Sequence, residues 1–106
     1  MNALEGIRVL DLCIILAGPT CARTLGEYGA EVIKIDVSRR MPTEPRWIDL
    51  ARGKSSIFLD IKTDEGKSIF FDLVRTSDVI VENFKKGVVE RLGIDYDSMK
   101  KIKPDI

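Results

Sequence analysis

The sequence has no histidine and only two cysteines among its 106 residues. Without histidine, this chain cannot form a Ser-His-Asp triad or a Cys-His pair, and a zinc site would lack its usual ligands. We interpret Cys13 and Cys21 as two buried thiols of a reducing compartment, because free cysteine packs as a small hydrophobic side chain. We therefore expect neither a metal site nor cysteine chemistry here.

The sequence also lacks net charge and long apolar runs. Lysine and arginine number 17, aspartate and glutamate number 17, and the formal net charge is zero, which argues against a broadly basic nucleic-acid-binding protein. No apolar run approaches the ~20 residues of a membrane span. The N-terminus lacks the basic and then long apolar layout of a signal peptide. We therefore expect a cytoplasmic protein with no nucleic-acid or membrane partner.

What the sequence does contain is an alternation of apolar, β-branched segments with helical ones. This order predicts one α/β domain built on an open parallel sheet. The predicted strands are residues 6–12, 31–36, 55–60 and 77–82. The predicted helices are residues 20–28, 63–75, 87–92 and 98–103, and residues 37–53 are predicted to be an irregular loop.

The loop after the first predicted strand does not carry the glycine fingerprint of a dinucleotide-binding fold. Between Leu12 and Tyr28 the only glycines are Gly18 and Gly26, so we do not expect a standard NAD pyrophosphate turn. Pro19 suits the first turn of a helix, and apolar Cys21, Leu25 and Tyr28 recur at helical spacing.

Three segments are predicted to meet at the carboxyl edge of the sheet, where open α/β folds bind ligands. They are residues 14–18, 52–54 and 83–84. Lys54, Arg52 and Arg91 suit phosphate contacts, and Phe84 suits stacking on a base. Two alternatives stay open: Phe84 as a core aromatic, and Arg52 with Lys54 as solvated loop cations. From the residues alone we infer an α/β domain that binds an anionic ligand.

Several segments in register resemble the opening of the family III CoA-transferases, which include formyl-CoA and carnitine CoA-transferases and have the α-methylacyl-CoA racemases as close kin. The segments are residues 4–12, 16–19, 25–36, 52–57, 59–66, 78–84 and 87–93. They cover nearly the whole chain. The resemblance implies that residues 1–106 are the N-terminal portion of a large Rossmann-like, CoA-binding domain, with a sheet left incomplete at the C-terminus.

The resemblance also implies an activity and a set of ligand contacts. The family moves CoA between carboxylic acids through an aspartyl intermediate, and its members form interlocked homodimers. CoA and acyl-CoA are substrates, and no cofactor is bound permanently. The residues that the resemblance and the residue types assign to CoA binding are Ile15, Leu16, Ala17, Arg52, Lys54, Asn83, Phe84 and Arg91.

The resemblance places the catalytic aspartate downstream of Ile106, so no catalytic residue is assigned in this chain, and we expect the 106 residues alone to be inactive. Two alternatives remain open for the function. One is a racemase of the same superfamily, which only downstream residues would distinguish from a transferase. The other is a stand-alone, non-catalytic module that binds CoA or a nucleotide.

Overall fold

The computed structural model describes residues 1–37 and 46–106. The strands are β1 (Arg8–Asp11), β2 (Glu31–Asp36), β3 (Ser55–Phe58) and β4 (Val79–Val81). The helices are α1 (Ala17–Glu27), α2 (Arg46–Leu50), α3 (Asp64–Arg75), α4 (Val88–Leu92) and α5 (Tyr96–Ile102). The predicted α/β class is confirmed.

The four strands form one parallel sheet in the order β3-β2-β1-β4. The chain adds β2 and β3 on one side of β1 and then crosses to place β4 on the other side. The strand order therefore reverses between β1 and β4. In open α/β sheets, the carboxyl ends of the strands at such a switch point border the ligand crevice.

Side chains alternate across the sheet and build a core on each face. On one face Leu10 and Ile35 pack with Phe70 and Val74 of α3 and with Met99 of α5. The other face is smaller and holds a second buried cluster. Its members are Val9, Ala22, Ala30 and Val32. This second face lies under α1, the helix that follows the switch point.

Local signals explain where several elements begin and end. Thr63 caps α3 as predicted, because its hydroxyl oxygen accepts a hydrogen bond from the Gly66 N–H at 3.0 Å. Gly29 ends the α1 turn with a φ of +104°, the left-handed conformation predicted for it. Helix α5 begins at Tyr96, two residues before the predicted start, because the Asp95 carboxylate caps it by accepting from the Ser98 N–H.

The prediction of an irregular loop over residues 37–53 was wrong in its second half, where α2 forms. A five-residue helix is too short to show a periodic apolar pattern. Pro42, Pro45, Arg39 and Arg40, on which the loop prediction drew, lie outside the described residues.

The predicted apolar stripe of α1 was wrong at Cys21 and Tyr28, and so was the burial of Cys21, whereas Leu25 packs against the second buried cluster as predicted. Cys21 and Tyr28 are exposed, whereas the buried positions of the helix are Gly18, Pro19 and Ala22. Small side chains let α1 approach the sheet closely. They contribute little to a hydrophobic pattern, so the prediction did not include them.

Candidate functional site

Residues 12–16, the exit loop, connect the carboxyl end of β1 to α1 at the switch point. Side chains from neighbouring strands bind its backbone. The Cys13 N–H donates to Oδ1 of Asp11 at 2.9 Å. The Cys13 carbonyl accepts from Nζ of Lys34, on β2, at 2.9 Å. The first part of the loop is thus held from β1 and β2.

Asn83, two residues after β4, holds the next residue of the exit loop. Its Oδ1 accepts from the Ile14 N–H at 2.9 Å, and its Nδ2 donates to the Ile14 carbonyl at 2.7 Å. One amide therefore joins the two strand ends that border the switch point. The sequence-based prediction that residues 14–18 and 83–84 meet is realised through this pair of bonds.

The exit loop contains a strained residue. Ile15 has a φ of +72°, and it is the sole non-glycine residue with positive φ in the described parts of the chain. This conformation is rare for a β-branched side chain and persists only where the surrounding structure holds it. Such strain occurs preferentially at functional sites.

The exit loop presents apolar side chains next to the start of α1. Ile14, Ile15 and Leu16 are 49, 73 and 46% exposed. Leu16 is the N-cap of α1 and provides no side-chain hydrogen bond, and the first turn has no acidic residue. The free N–H groups and the helix dipole make such a start attractive to anions. The surface therefore suits a ligand with both an apolar arm and negative charge.

Lys54 lies beneath the exit loop. Its Nζ forms a 2.7 Å ion pair with Oδ2 of Asp11 and donates to the Pro19 carbonyl at 3.0 Å. The two side chains are 3% and 0% exposed, so the alternative of Lys54 as a solvated loop cation was wrong. Its ammonium already neutralises a buried carboxylate, and its contact with a ligand phosphate stays a prediction.

Cys13 is a packing residue of the site. The pKa of the Cys13 thiol is raised to about 12. Burial is the larger cause, and the nearby Asp11 carboxylate is the second. The thiol is therefore protonated at neutral pH and is not a nucleophile. The Cys13 side chain also packs tightly against Gly18, because a β-carbon added to Gly18 would lie only 2.3 Å from Sγ of Cys13.

The remaining predicted contacts lie farther from the exit loop. Arg52 pairs with Glu27 at 2.9 Å and approaches Asp49 at 3.7 Å, beside the far end of α1. A helix of this length separates its two ends by about 15 Å. Phe84 is half-buried and packs against the core that contains Leu10, which favours the core-aromatic alternative for part of its ring. Arg91 is an exposed residue of α4.

Sequence reasoning missed Asp11 and Lys34, the two charged side chains that anchor the exit loop. They are paired neighbours across β1 and β2. A signal was available, because each is a charged residue that directly follows and directly precedes an apolar one, Asp11 between Leu10 and Leu12 and Lys34 between Ile33 and Ile35. In a structure, charged residues at such positions are usually paired or bound to backbone groups.

One further cavity, of about 350 Å³, follows the outer edge of β4. Apolar Val79, Ile80 and Val89 line it together with Asp78 and Tyr96. Over residues 1–37 and 46–106, no three histidine, cysteine or acidic side chains gather as metal ligands would. Nor does any helix in those ranges have the length and apolarity to span a bilayer.

Comparison with known sequences places the chain in a family. The sequence profile described as CoA-transferase family III matches residues 4–106. The formyl-CoA:oxalate CoA-transferase of Rhodopseudomonas palustris strain TIE-1 is 39% identical, over 97% of this chain and 27% of that protein. The succinyl-CoA–L-malate CoA-transferase beta subunit of Chloroflexus aurantiacus is 38% identical, over 95% of this chain and 28% of that subunit.

A solved structure of the Mycobacterium tuberculosis protein Rv3272 superimposes with a TM-score of 0.88 at 33% identity, covering all of this chain and 31% of that one. The chain therefore spans less than a third of the length of these relatives. Its motifs, its sheet order and the matched profile agree along nearly its whole length. The chain belongs to CoA-transferase family III.

Proposed function

We propose that the protein carrying this chain transfers CoA between carboxylic acids, and that the exit loop forms part of its CoA site. The observation that carries the proposal is the exit loop itself. It places a strained, exposed apolar segment beside an uncapped helix start at the switch point of the sheet. It does so in a chain whose family acts on CoA thioesters.

The proposed contacts follow the chemistry of CoA, which joins an apolar, amide-containing arm to a phosphorylated adenosine. Ile15, Leu16 and Ala17 contact the arm, and the first N–H groups of α1 face a phosphate. Arg91 supplies a second phosphate contact, because it is exposed and makes no ion pair with the described residues. The exposed part of Phe84 faces the adenine or the pantetheine arm. CoA is a substrate in this scheme.

The reaction proceeds through a carboxylate nucleophile, which splits one acyl transfer into easier covalent steps. An aspartate outside residues 1–106 attacks the acyl-CoA carbonyl, forming a mixed anhydride and releasing CoA thiolate. The thiolate attacks the aspartyl carbonyl, giving an aspartyl-CoA thioester and the free donor acid. The acceptor carboxylate attacks the thioester, which forms a second mixed anhydride and releases CoA thiolate. The thiolate then attacks the acceptor's acyl carbonyl, which gives the new acyl-CoA and restores the aspartate. The interlocked homodimer and the inactivity of residues 1–106 alone belong to the same proposal.

The test uses the protein at its natural length with the donor and acceptor pairs named by its relatives. These are formyl-CoA with oxalate, and succinyl-CoA with L-malate or mesaconate. We expect a new acyl-CoA from at least one pair and an aspartyl-CoA thioester that borohydride reduces. Exchange of an α-proton in D₂O without CoA transfer would instead identify a racemase. Binding of CoA with neither reaction would identify a binding module.

A matched pair of variants tests the location of the site. Leu16→Asp and Ile69→Asp each place a carboxylate at a half-exposed apolar position, since the two side chains are 46 and 47% exposed. Leu16→Asp neutralises the start of α1 and repels phosphate, so we expect CoA affinity to fall at least tenfold. Ile69→Asp, on α3, should leave it unchanged. Equal effects of the two variants would contradict a CoA site at the exit loop.

A further inference from the structure

We propose that Asn83 is a positioning residue for CoA, which acts through the backbone of the exit loop instead of through its own contact with the ligand. The inference rests on the proposed function. It assigns to Asn83 the task of holding Ile15 in its strained conformation, so that the apolar side chains of the loop face the bound CoA.

The side-chain amide of Asn83 is occupied by the exit loop. Its oxygen and its nitrogen bind the N–H and the carbonyl of the same residue, Ile14, at 2.9 and 2.7 Å. Helix α1 closes in from the other side, because a β-carbon on Gly18 would lie 3.3 Å from Cγ of Asn83. The amide is thus set between the loop backbone and the first turn of α1.

The strained residue of the exit loop is next to the one that Asn83 binds. Ile15 follows Ile14 directly and holds a φ of +72° with a β-branched side chain that is 73% exposed. An exposed side chain has little packing to hold it in place, so the constraint must come from the backbone. Asn83 is the side chain that binds both backbone groups of the preceding residue. Without it, we expect Ile15 to relax to negative φ and the apolar face of the loop to turn.

The role of Asn83 is distinct from a general contribution to folding. The bonds of Cys13 to Asp11 and Lys34, and the Lys54–Asp11 pair, do not involve Asn83, so we expect them to persist when Asn83 is changed. Loss of the Asn83 amide therefore releases residues 14–16 and leaves the base of the loop in place. The expected defect is in CoA binding and not in the fold.

The experiment is a double-mutant cycle on the protein at its natural length. Glycine adopts positive φ without strain, so Ile15→Gly removes the conformational task assigned to Asn83. We expect Asn83→Ala to weaken CoA binding about tenfold in the Ile15 protein and less than threefold in the Ile15→Gly protein, measured by calorimetry. We also expect KM for acyl-CoA to rise while KM for the acceptor acid is unchanged. Asn2→Ala, the same change beside Gly29 at the other end of α1, is the control.

Equal effects of Asn83→Ala in both backgrounds would show direct contact with CoA and overturn the inference, with the proposed function intact. Absence of CoA binding by the unsubstituted protein would overturn both. If Asn83→Ala does not fold, Asn83→Leu, which is uncharged and close to asparagine in size, replaces it in the cycle. This variant removes both hydrogen bonds to Ile14 without adding charge near the bound CoA, so the same two comparisons decide the outcome.

Discussion

Gly18 is the residue on which the close contact between α1 and the exit loop depends. A β-carbon there would lie 2.3 Å from Sγ and 2.5 Å from Cβ of Cys13. We expect Gly18→Ala to lower the free energy of unfolding by about 1–3 kcal/mol, the usual range for overpacking. Cys13→Gly in the same protein should restore most of the loss, as measured by denaturant unfolding.

Gly26 provides the control for that experiment, because it lies on the same helix and its β-carbon would meet only Cγ2 of Val32, at 3.3 Å. Replacing a helical glycine by alanine is otherwise favourable. Gly26→Ala should therefore change stability by much less than Gly18→Ala. Similar losses for both would mean that contact with Cys13 is not the cause.

The two thiols should differ in reactivity. Cys13 is buried and its pKa is raised to about 12, whereas Cys21 is exposed on α1. At pH 8 we expect iodoacetamide to modify Cys21 and to leave Cys13 unmodified in the native protein, as read by peptide mass spectrometry. Modification of Cys13 at the rate of Cys21 would contradict its burial. The pKa of Cys13 is raised from the ordinary thiol value of 9.0 to about 12 in the folded state, so the folded protein binds the thiol proton more tightly than the unfolded chain does. The contribution of Cys13 to stability is therefore fully present below about pH 9 and is lost as the pH rises toward 12.

The contacts between residues of the exit loop and its surroundings could be predicted only in part from the sequence. It named Ile15, Leu16 and Asn83 as neighbours, because the ends of parallel strands converge. It missed the bonds themselves, since Asn83 and Ile14 are 69 residues apart and Lys54 and Asp11 are 43 apart. Such pairings depend on side-chain direction in three dimensions, and no periodic pattern in the sequence encodes them.

At the scale of elements, the Lys54–Asp11 pair joins the entrance of β3 to the end of β1. Removing one partner of a buried ion pair leaves an uncompensated charge, which typically costs about 3–5 kcal/mol. We expect Lys54→Met to destabilise the protein by that amount in thermal or denaturant unfolding. Adding Asp11→Asn should recover part of it, because the amide oxygen still accepts from the Cys13 N–H without carrying charge. No recovery in the double variant would argue against charge burial as the cause.

The elements themselves were predicted to different degrees, for physical reasons. The second predicted strand matches β2 residue for residue, because its apolar residues lie close together and a glycine turn precedes it. Helix α3 was found through Thr63, a cap residue that is recognisable in the sequence. Helix α2 was missed, because what holds it against the rest of the fold is not local: Leu50 is buried, and Asp49 pairs with Arg23 of α1 at 2.7 Å. These are tertiary contacts, and a five-residue segment does not encode them locally.

At the scale of the whole molecule, β4 is an edge strand with an apolar cavity beside it. Within the described ranges no strand pairs with its outer edge, and the cavity of about 350 Å³ there is lined largely by apolar side chains. Open edges and apolar grooves favour association. We expect residues 1–106 produced alone to be marginally stable, to bind the dye ANS and to self-associate in sedimentation experiments. The protein at its natural length is the control, and a monomeric 106-residue chain with a cooperative melt would contradict the expectation.

The anchoring of the exit loop has a consequence for engineering. Asp11, Lys34 and Asn83 bind the backbone of the loop, so the side chains at positions 14 and 16 contribute little to its conformation. Both are about half exposed. A library that randomises these two positions while keeping the three anchors should yield mostly folded proteins. If the surface binds CoA as proposed, selection on such a library would change which thioesters it accepts while the fold stays the same.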